Sequence, residues 1–458
     1  MQIVATARHG NQGAEMSEPN PGAAAGQPYP SLPYAYFSVG LLMLAYVFAF
    51  VDRMALSLVV DPIRHDLGLN DTQVSALAGL AFVVCYVLFS FPFGRWVDHH
   101  ARPKALTFGI SVWSLAMVGC GLATSFWQLF VGRMFVGVGE AAVNPVAYST
   151  IPDSFPPHKR GFAMAIFASG SMIGGGLGVY LGSLLLEWAA RVQPSLPFFG
   201  PLAPWQVLFI GLGLPGLLVA LLVHFTLRDP PRRAAGAAPA STRDVTAYFS
   251  EHRKLFTLVF LGFAGFAVSN YAFTVWGPTY FMRVHHFSIA EVGILMGGGF
   301  AIFGSGGAIV GGLWADRVQR AGHREAPVRV ALHIAWIQFP FFLGAYLTPQ
   351  PMLAVALFCG GMFCASMIGG VQGAMVQVLT PNRMRGQAGA VYLTIVNVLG
   401  LGLAPIATAA MTDYVFGGPA EIGKSLAATS ATALAVASLL LILGMKLARQ
   451  RAEAVLDL

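Results

Sequence analysis

Hydrophobic residues along this chain come in long blocks, separated by short polar stretches rich in Arg, Asp, Gly and Pro. The blocks fall at 34–60, 71–97, 104–124, 127–152, 160–187 and 205–227, then at 255–283, 288–315, 328–348, 351–378, 386–413 and 424–448. A helix rises ~1.5 Å per residue, so ~20 apolar residues cross the ~30 Å hydrocarbon layer of a bilayer. Backbone groups in that layer must be bonded within their own segment or round a closed barrel, and continuous apolar runs fit only the first option. The pattern predicts an all-α membrane protein with twelve transmembrane helices.

The longest polar interval, 228–254, divides the spans six and six. It opens on Asp229-Pro230-Pro231 and continues through small residues at 234–241, as a linker would. The expected organisation is a tail at 1–33, a six-helix bundle at 34–227, the linker at 228–254, a second six-helix bundle at 255–448 and a tail at 449–458. The first tail lacks the apolar core of a signal peptide and is too rich in Gly, Ala, Pro and Gln to fold, so it is expected to be disordered. The halves also repeat. Gly94-Arg95-Trp96-Val97-Asp98 follows the second span, and Gly312-Leu313-Trp314-Ala315-Asp316 follows the eighth, 218 residues later. Pro152 precedes Arg160-Gly161 after the fourth span as Pro381 precedes Arg385-Gly386 after the tenth. Two landmarks at equivalent places imply a duplicated unit, hence two pseudo-symmetric six-helix bundles around a central cavity. That is the architecture of a secondary transporter that rocks one half against the other.

Composition agrees. Hydrophobic residues make up 56% of the chain, charged residues 10%, and the mean hydropathy is +0.66. A soluble domain carries ~25% charge, so a water-soluble globule is excluded. The net charge of +7 does not mark a nucleic-acid surface, because 21 of the 27 Lys and Arg residues fall on the side of the expected membrane that carries both chain ends. Four lie opposite, Arg64, Arg191, Arg283 and Lys424, and two, Arg53 and Arg133, lie inside spans. The bias places both termini in the cytoplasm, in a plasma or inner membrane. The four cysteines sit in apolar runs without metal-ligand spacing, so neither a disulfide framework, a metal nor a cofactor is expected.

The candidate chemistry lies in the first and fourth spans. Asp52-Arg53 and Arg133 with Glu140 put four ionisable groups within the membrane, each costing ~2.5–3.5 kcal/mol there if left alone. They must face each other or water. Arg133 and Glu140 are two turns apart on one face, and Asp52 and Arg53 point ~100° apart. Depth matching predicts that Asp52 pairs with Arg133 and that Arg53 reaches towards Glu140. A carboxylate balanced between burial and a neighbouring arginine can couple to protons, whereas a permanently ionised network would simply fix two helices.

Gly94-x-x-x-Asp98-x-x-x-Arg102 resembles the signature loop of the major facilitator superfamily, although Ala101 replaces a usual glycine. The resemblance implies that Gly94, Asp98 and Arg102 form a conformational latch that helps hold the outward-facing state. A static loop salt bridge is the alternative reading. Asp52-Arg53 together with Arg133 and Gly139-Glu140-Ala141 is similar to the Spinster subfamily. This implies an amphiphilic lipid substrate, such as a lysophospholipid or a sphingoid phosphate. The seventh span offers Asn270, Tyr271, Phe273, Trp276 and Tyr280 to the facing wall, so a cavity charged on one side and aromatic on the other is expected. The expected partners are a small amphiphilic substrate, protons and membrane lipids, with no nucleic acid, and the protein acts as a monomer.

Two pattern matches are refused. Gly418 to Ser425 satisfies a Walker A string, and Gly137-x-Gly139-x-x-Ala142 mimics a dinucleotide fingerprint, but no strand precedes either. The expected function is secondary active transport by alternating access, proton-coupled and directed at an amphiphilic lipid. A proton-coupled carrier of small organic anions or drugs is the alternative. A membrane-embedded lipid-modifying enzyme would need a nucleophile–base pair or metal cluster, and none is visible.

Overall fold

Apolar residues in runs too long for a strand leave the helix as the only way to bond each backbone group locally, and helices dominate the molecule. The structure, a computed structural model, describes residues 29–197, 200–233 and 242–456. Twelve helices among the described residues are long and apolar enough to cross a membrane. In the first half these are α1 (Leu32–Leu58), α2 (Asp71–His99), α3 (Arg102–Gly121), α4 (Phe126–Ser154), α5 (Pro157–Val192) and α6 (Pro204–Thr226). In the second half they are α7 (Arg253–His285), α8 (Ile289–Arg320), α9 (Ala326–Leu347), α10 (Pro351–Leu379), α11 (Arg385–Val415) and α12 (Pro419–Ala454). The protein is an integral, multi-pass membrane protein.

Packing repeats between the halves. Helix α1 packs on α5, α2 on α4 and α3 on α6, and the same three pairings recur as α7 on α11, α8 on α10 and α9 on α12. Across the interface the contacts are equally paired, with α2 against α11 and α5 against α8. Small residues set the closest approaches. A Cβ at Gly137 of α4 would run into the Phe82 carbonyl of α2, and one at Gly139 into the Gly109 carbonyl of α3. Helix α4 is thereby wedged between two neighbours.

Segments that were expected to be irregular are partly helical. Of the expected tail 1–33, residues 1–28 lie outside the described residues, and α1 already begins at Leu32. Residues 234–241 of the linker also lie outside them, but Thr242–Glu251 forms a helix whose Tyr248 donates to the Leu379 carbonyl at 2.7 Å. The last helix runs on to Leu456, past the boundary expected at 448, with an Arg449–Glu453 pair one turn apart at 3.3 Å on its solvent side. A short helix, Val60–Leu67, caps the far end of α1.

Three spans contain a wide, π-helical turn: Ala76–Leu80 in α2, Phe300–Gly304 in α8 and Asn397–Leu403 in α11. Such turns shift the register of the side chains that follow and gather at functional sites. Here each of these three contributes to the wall of a central cavity, through Ala78, Phe300, Asn397 and Leu401, whereas a further such turn in α11, Met411–Val415, lies away from it.

Candidate functional site

Between the halves lies a cavity of about 1190 Å³, lined by both bundles. Its far end is shut by ion pairs and hydrogen bonds between the halves. Arg283, at the far end of α7, is bonded to Asp61 at 2.6 Å and to Asp71 at 2.7 Å, both from the first half. Thr72 beside it donates its backbone and hydroxyl groups to Asp413 of α11 at 2.8 and 2.7 Å. Beneath them Ser75 of α2 and Trp276 of α7 both donate to the Pro405 carbonyl of α11. On the face that carries the chain ends the halves part. Phe91 of α2, Ile173 of α5, Ile309 of α8 and Leu393 of α11 line the cavity and are also exposed at the surface, so it reaches outward along the α5/α8 and α2/α11 seams.

Arg53 stands on the cavity wall of α1. Its Nε donates to Glu140 Oε2 of α4 at 2.7 Å. Its guanidinium carbon lies 4.8 Å from the ring centres of Phe50 and Phe82 and 5.1 Å from that of Tyr86. Phe50 precedes Arg53 by one turn on α1, and Phe82 and Tyr86 are one turn apart on α2, so helical spacing alone builds the box. Arg133 of α4 also reaches the cavity, its guanidinium 5.7 Å from the same Phe82 ring. One phenyl ring thus lies close to two cations of like charge, and the negative potential of its π-system is favourable to both.

The expected Asp52–Arg133 hydrogen bond is not formed. Asp52 is 1% exposed, both its carboxylate oxygens lack a partner among the described residues, and so does Arg133 Nε. Arg133 turns instead towards Met117, with Nη1 3.9 Å from the sulfur. The cause is helical direction. Arg53 takes the cavity side of α1 to reach Glu140, so its neighbour Asp52 is rotated ~100° into the bundle, beside Trp113 of α3. It still lies within electrostatic reach of Arg133 and Glu140.

Of the five residues expected on the facing wall, Asn270, Tyr271 and Phe273 line the cavity. Trp276 and Tyr280 do not. Positions 263, 267, 270, 271 and 274 form the face of α7 turned to the cavity. The stripe through 266, 269, 276 and 280 is buried in its own half, where Tyr280 donates to the Ala345 carbonyl at 2.5 Å. Aromatic residues were expected on one wall only, but the first half contributes Tyr46, Phe50, Phe82, Tyr86 and Tyr148. Asn144, one turn from Tyr148, donates to the Tyr86 hydroxyl at 2.9 Å. Their signal in the sequence is the i, i+4 spacing of Tyr46–Phe50, Phe82–Tyr86 and Asn144–Tyr148 around Arg53 and Glu140.

The signature loop is tied differently from expectation. Arg102 is bonded to Asp153 at the end of α4 and reaches Asp229 of the linker at 3.5 Å. Arg232 of the linker donates to the Val97, Asp98 and His100 carbonyls, satisfying acceptors that the end of α2 leaves free. The Asp98 side chain is exposed and makes no ion pair among the described residues, and a Cβ at Gly94 would meet open space. The Gly418–Ser425 string begins with a single 3₁₀ turn and runs into α12, with no strand before it.

The sequence model of the Major Facilitator Superfamily matches residues 42–405. The chain belongs to this superfamily, and it is a transporter rather than an enzyme. Within the superfamily it is 27% identical over 391 residues to a probable L-galactonate transporter of Escherichia coli K12, covering 81% of this chain and 82% of that one. It is 26% identical to Protein spinster homolog 1 of Xenopus tropicalis, covering 81% and 72%. A bacterial homolog of the human lysosomal transporter Spinster, solved in an inward-facing and unoccupied conformation, shares the fold with a TM-score of 0.76 at 24% identity, covering 93% of this chain and 99% of that one.

Proposed function

We propose that this secondary transporter carries an anionic amphiphile, such as a lysophospholipid or a sphingoid phosphate, by a proton-coupled cycle of alternating access. The observation that supports this reading is the cavity itself. At about 1190 Å³ it exceeds the ~300–1,000 Å³ of ordinary small-molecule pockets, it is walled by aromatic and aliphatic side chains, and it holds the only lining charges among the described residues, Arg53 and Arg133, together. A headgroup would sit on the two guanidinium forks, which suit phosphate and carboxylate oxygens. A tail would follow the aromatic wall towards the seams, where apolar side chains meet the bilayer.

Coupling follows from competition. Arg53 is bonded to Glu140 on the cavity wall, and an incoming anion competes for the same guanidinium. A buried carboxylate that loses its cation is too costly to keep charged, so Glu140 takes a proton as the substrate binds, with Asp52 as the second acceptor behind it. In the outward-facing state the Gly94–Arg102 loop acts as a latch once Asp98 finds a partner across the interface. The basic residues on the face of the chain ends orient that face to the cytoplasm, and a single chain suffices for the cycle.

A second reading is a carrier of small organic anions. Its support is the similarity to the probable L-galactonate transporter and the suitability of the paired arginines for a carboxylate. Reconstitution in liposomes separates the two. Flux of a lysophospholipid, a sphingoid phosphate and a hexuronate is compared with and without a pH gradient, in wild type and Glu140→Gln. Lipid flux that rises with the gradient in wild type and ignores it in the variant supports the proposal, and uptake confined to the hexuronate overturns the lipid assignment.

A further inference from the structure

The two halves bring unequal chemistry to the cavity. Both charged lining residues, Arg53 and Arg133, belong to the first half, and the second half presents only uncharged polar groups among the described residues. A substrate held by one half alone could not favour one arrangement of the halves over another, because a ligand shifts an equilibrium only through different contacts in its two states. The second half must therefore supply a contact of its own.

One of its polar groups is held from behind. Asn270 of α7 lines the cavity, and its Oδ1 accepts a hydrogen bond from Gln338 Nε2 of α9 at 3.2 Å. Gln338 is fully buried, lies outside the cavity wall, and its Oε1 has no partner among the described residues. The residues that α9 buries around it, Ile334, Ala335 and Phe342, are apolar. An amide left half-satisfied in such a place costs ~1–3 kcal/mol, so packing alone would favour leucine. What the glutamine does is fix the amide of Asn270. With Oδ1 engaged, Nδ2 makes no hydrogen bond among the described residues and is left to the cavity. Gln372 is engaged in the same way, its Oε1 accepting from Tyr392 at 3.0 Å, but Tyr392 itself lines the cavity, so that pair is not held from behind.

We infer that Asn270 is the hydrogen-bond donor with which the second half binds substrate, and that Gln338 is the positioning residue that aims it. The inference rests on the transport reading above and narrows its ligand. The substrate carries an acceptor oxygen near its anionic group, so that it bridges Arg53 and Arg133 on one wall to Asn270 on the other. The acyl ester of a lysophospholipid meets that requirement, and so does the hydroxyl of a sugar acid.

The test is uptake kinetics of the full chain in proteoliposomes, with oleoyl lysophosphatidylglycerol and glucuronate as separate probes. Wild type is compared with Asn270→Ala, Asn270→Asp, Gln338→Leu and the double variant Asn270→Ala with Gln338→Leu. Asn270→Asp keeps the acceptor for Gln338 and removes the donor. On whichever probe wild type carries, KM rises about tenfold in both Asn270 variants and about threefold in Gln338→Leu, and the double variant matches Asn270→Ala. A wild-type KM in Asn270→Asp overturns the donor role. A Gln338→Leu effect that adds in full to Asn270→Ala shows that Gln338 acts through packing and overturns the positioning role. Uptake of glucuronate alone removes the lipid assignment and leaves the inference to be decided on that probe, whereas a wild type that moves neither probe removes both.

Discussion

A charge buried in a membrane protein matters according to what touches it, and the two carboxylates beside the cavity differ sharply in this respect. Glu140 is bonded to Arg53 at 2.7 Å, whereas Asp52 has no hydrogen-bond partner among the described residues. Breaking a buried pair leaves an uncompensated charge and costs about 3–5 kcal/mol. Glu140→Ala is therefore expected to lower stability by about that amount, and Asp52→Asn, which breaks no bond, by less than about 1 kcal/mol. Unfolding of the two variants in detergent checks the ordering, and equal losses would contradict it. That these residues lie within the membrane was legible in the sequence, because Asp, Arg and Glu interrupt apolar runs. That Asp52 and Arg133 make no hydrogen bond was not, since depth along a helix is readable from residue counts but azimuth relative to three neighbours is not.

At the scale of helices, the account turns on close approaches and on the ionic closure of the far face. A side chain at Gly137 would collide with the backbone of α2, and one at Gly94 would meet nothing. Gly137→Val should thus abolish the yield of folded protein, and Gly94→Ala should leave it unchanged, by size-exclusion profile. Arg283 joins α7 to two aspartates of the other half. Arg283→Ala removes the shared partner of both and is expected to shift the population towards the state open on the far face. Reaction of a membrane-impermeant thiol reagent with a cysteine placed at Ser57, which lines the cavity, should rise several-fold from that face, and an unchanged rate would show that other contacts close it. The amphipathic face of α7 is where sequence reasoning half succeeded. Asn270 and Tyr271 fall on the cavity side, but Trp276 and Tyr280 belong to the neighbouring stripe. An apolar helix in a bundle carries no polar face by which to tell which stripe meets the cavity.

Across the whole molecule, the duplicated landmarks at Gly94–Asp98 and Gly312–Asp316 foretold the two bundles, and the repeated helix pairings realise them. What the sequence could not give is the state: whether the halves part on one face or the other depends on small differences between two packings of the same helices. The cavity is shut at the far face and open along two seams on the face of the chain ends, with Arg53 held by Glu140. In the proposed cycle substrate and proton are linked because the anion and Glu140 compete for one guanidinium. Proton exchange on substrate binding tests that link most directly. Lysophospholipid is added to the reconstituted protein in weakly buffered medium containing a pH indicator, at several starting pH values. The account predicts uptake of up to one proton per bound substrate in wild type and none in Glu140→Gln. Saturable binding with no change in bound protons at any pH would contradict it.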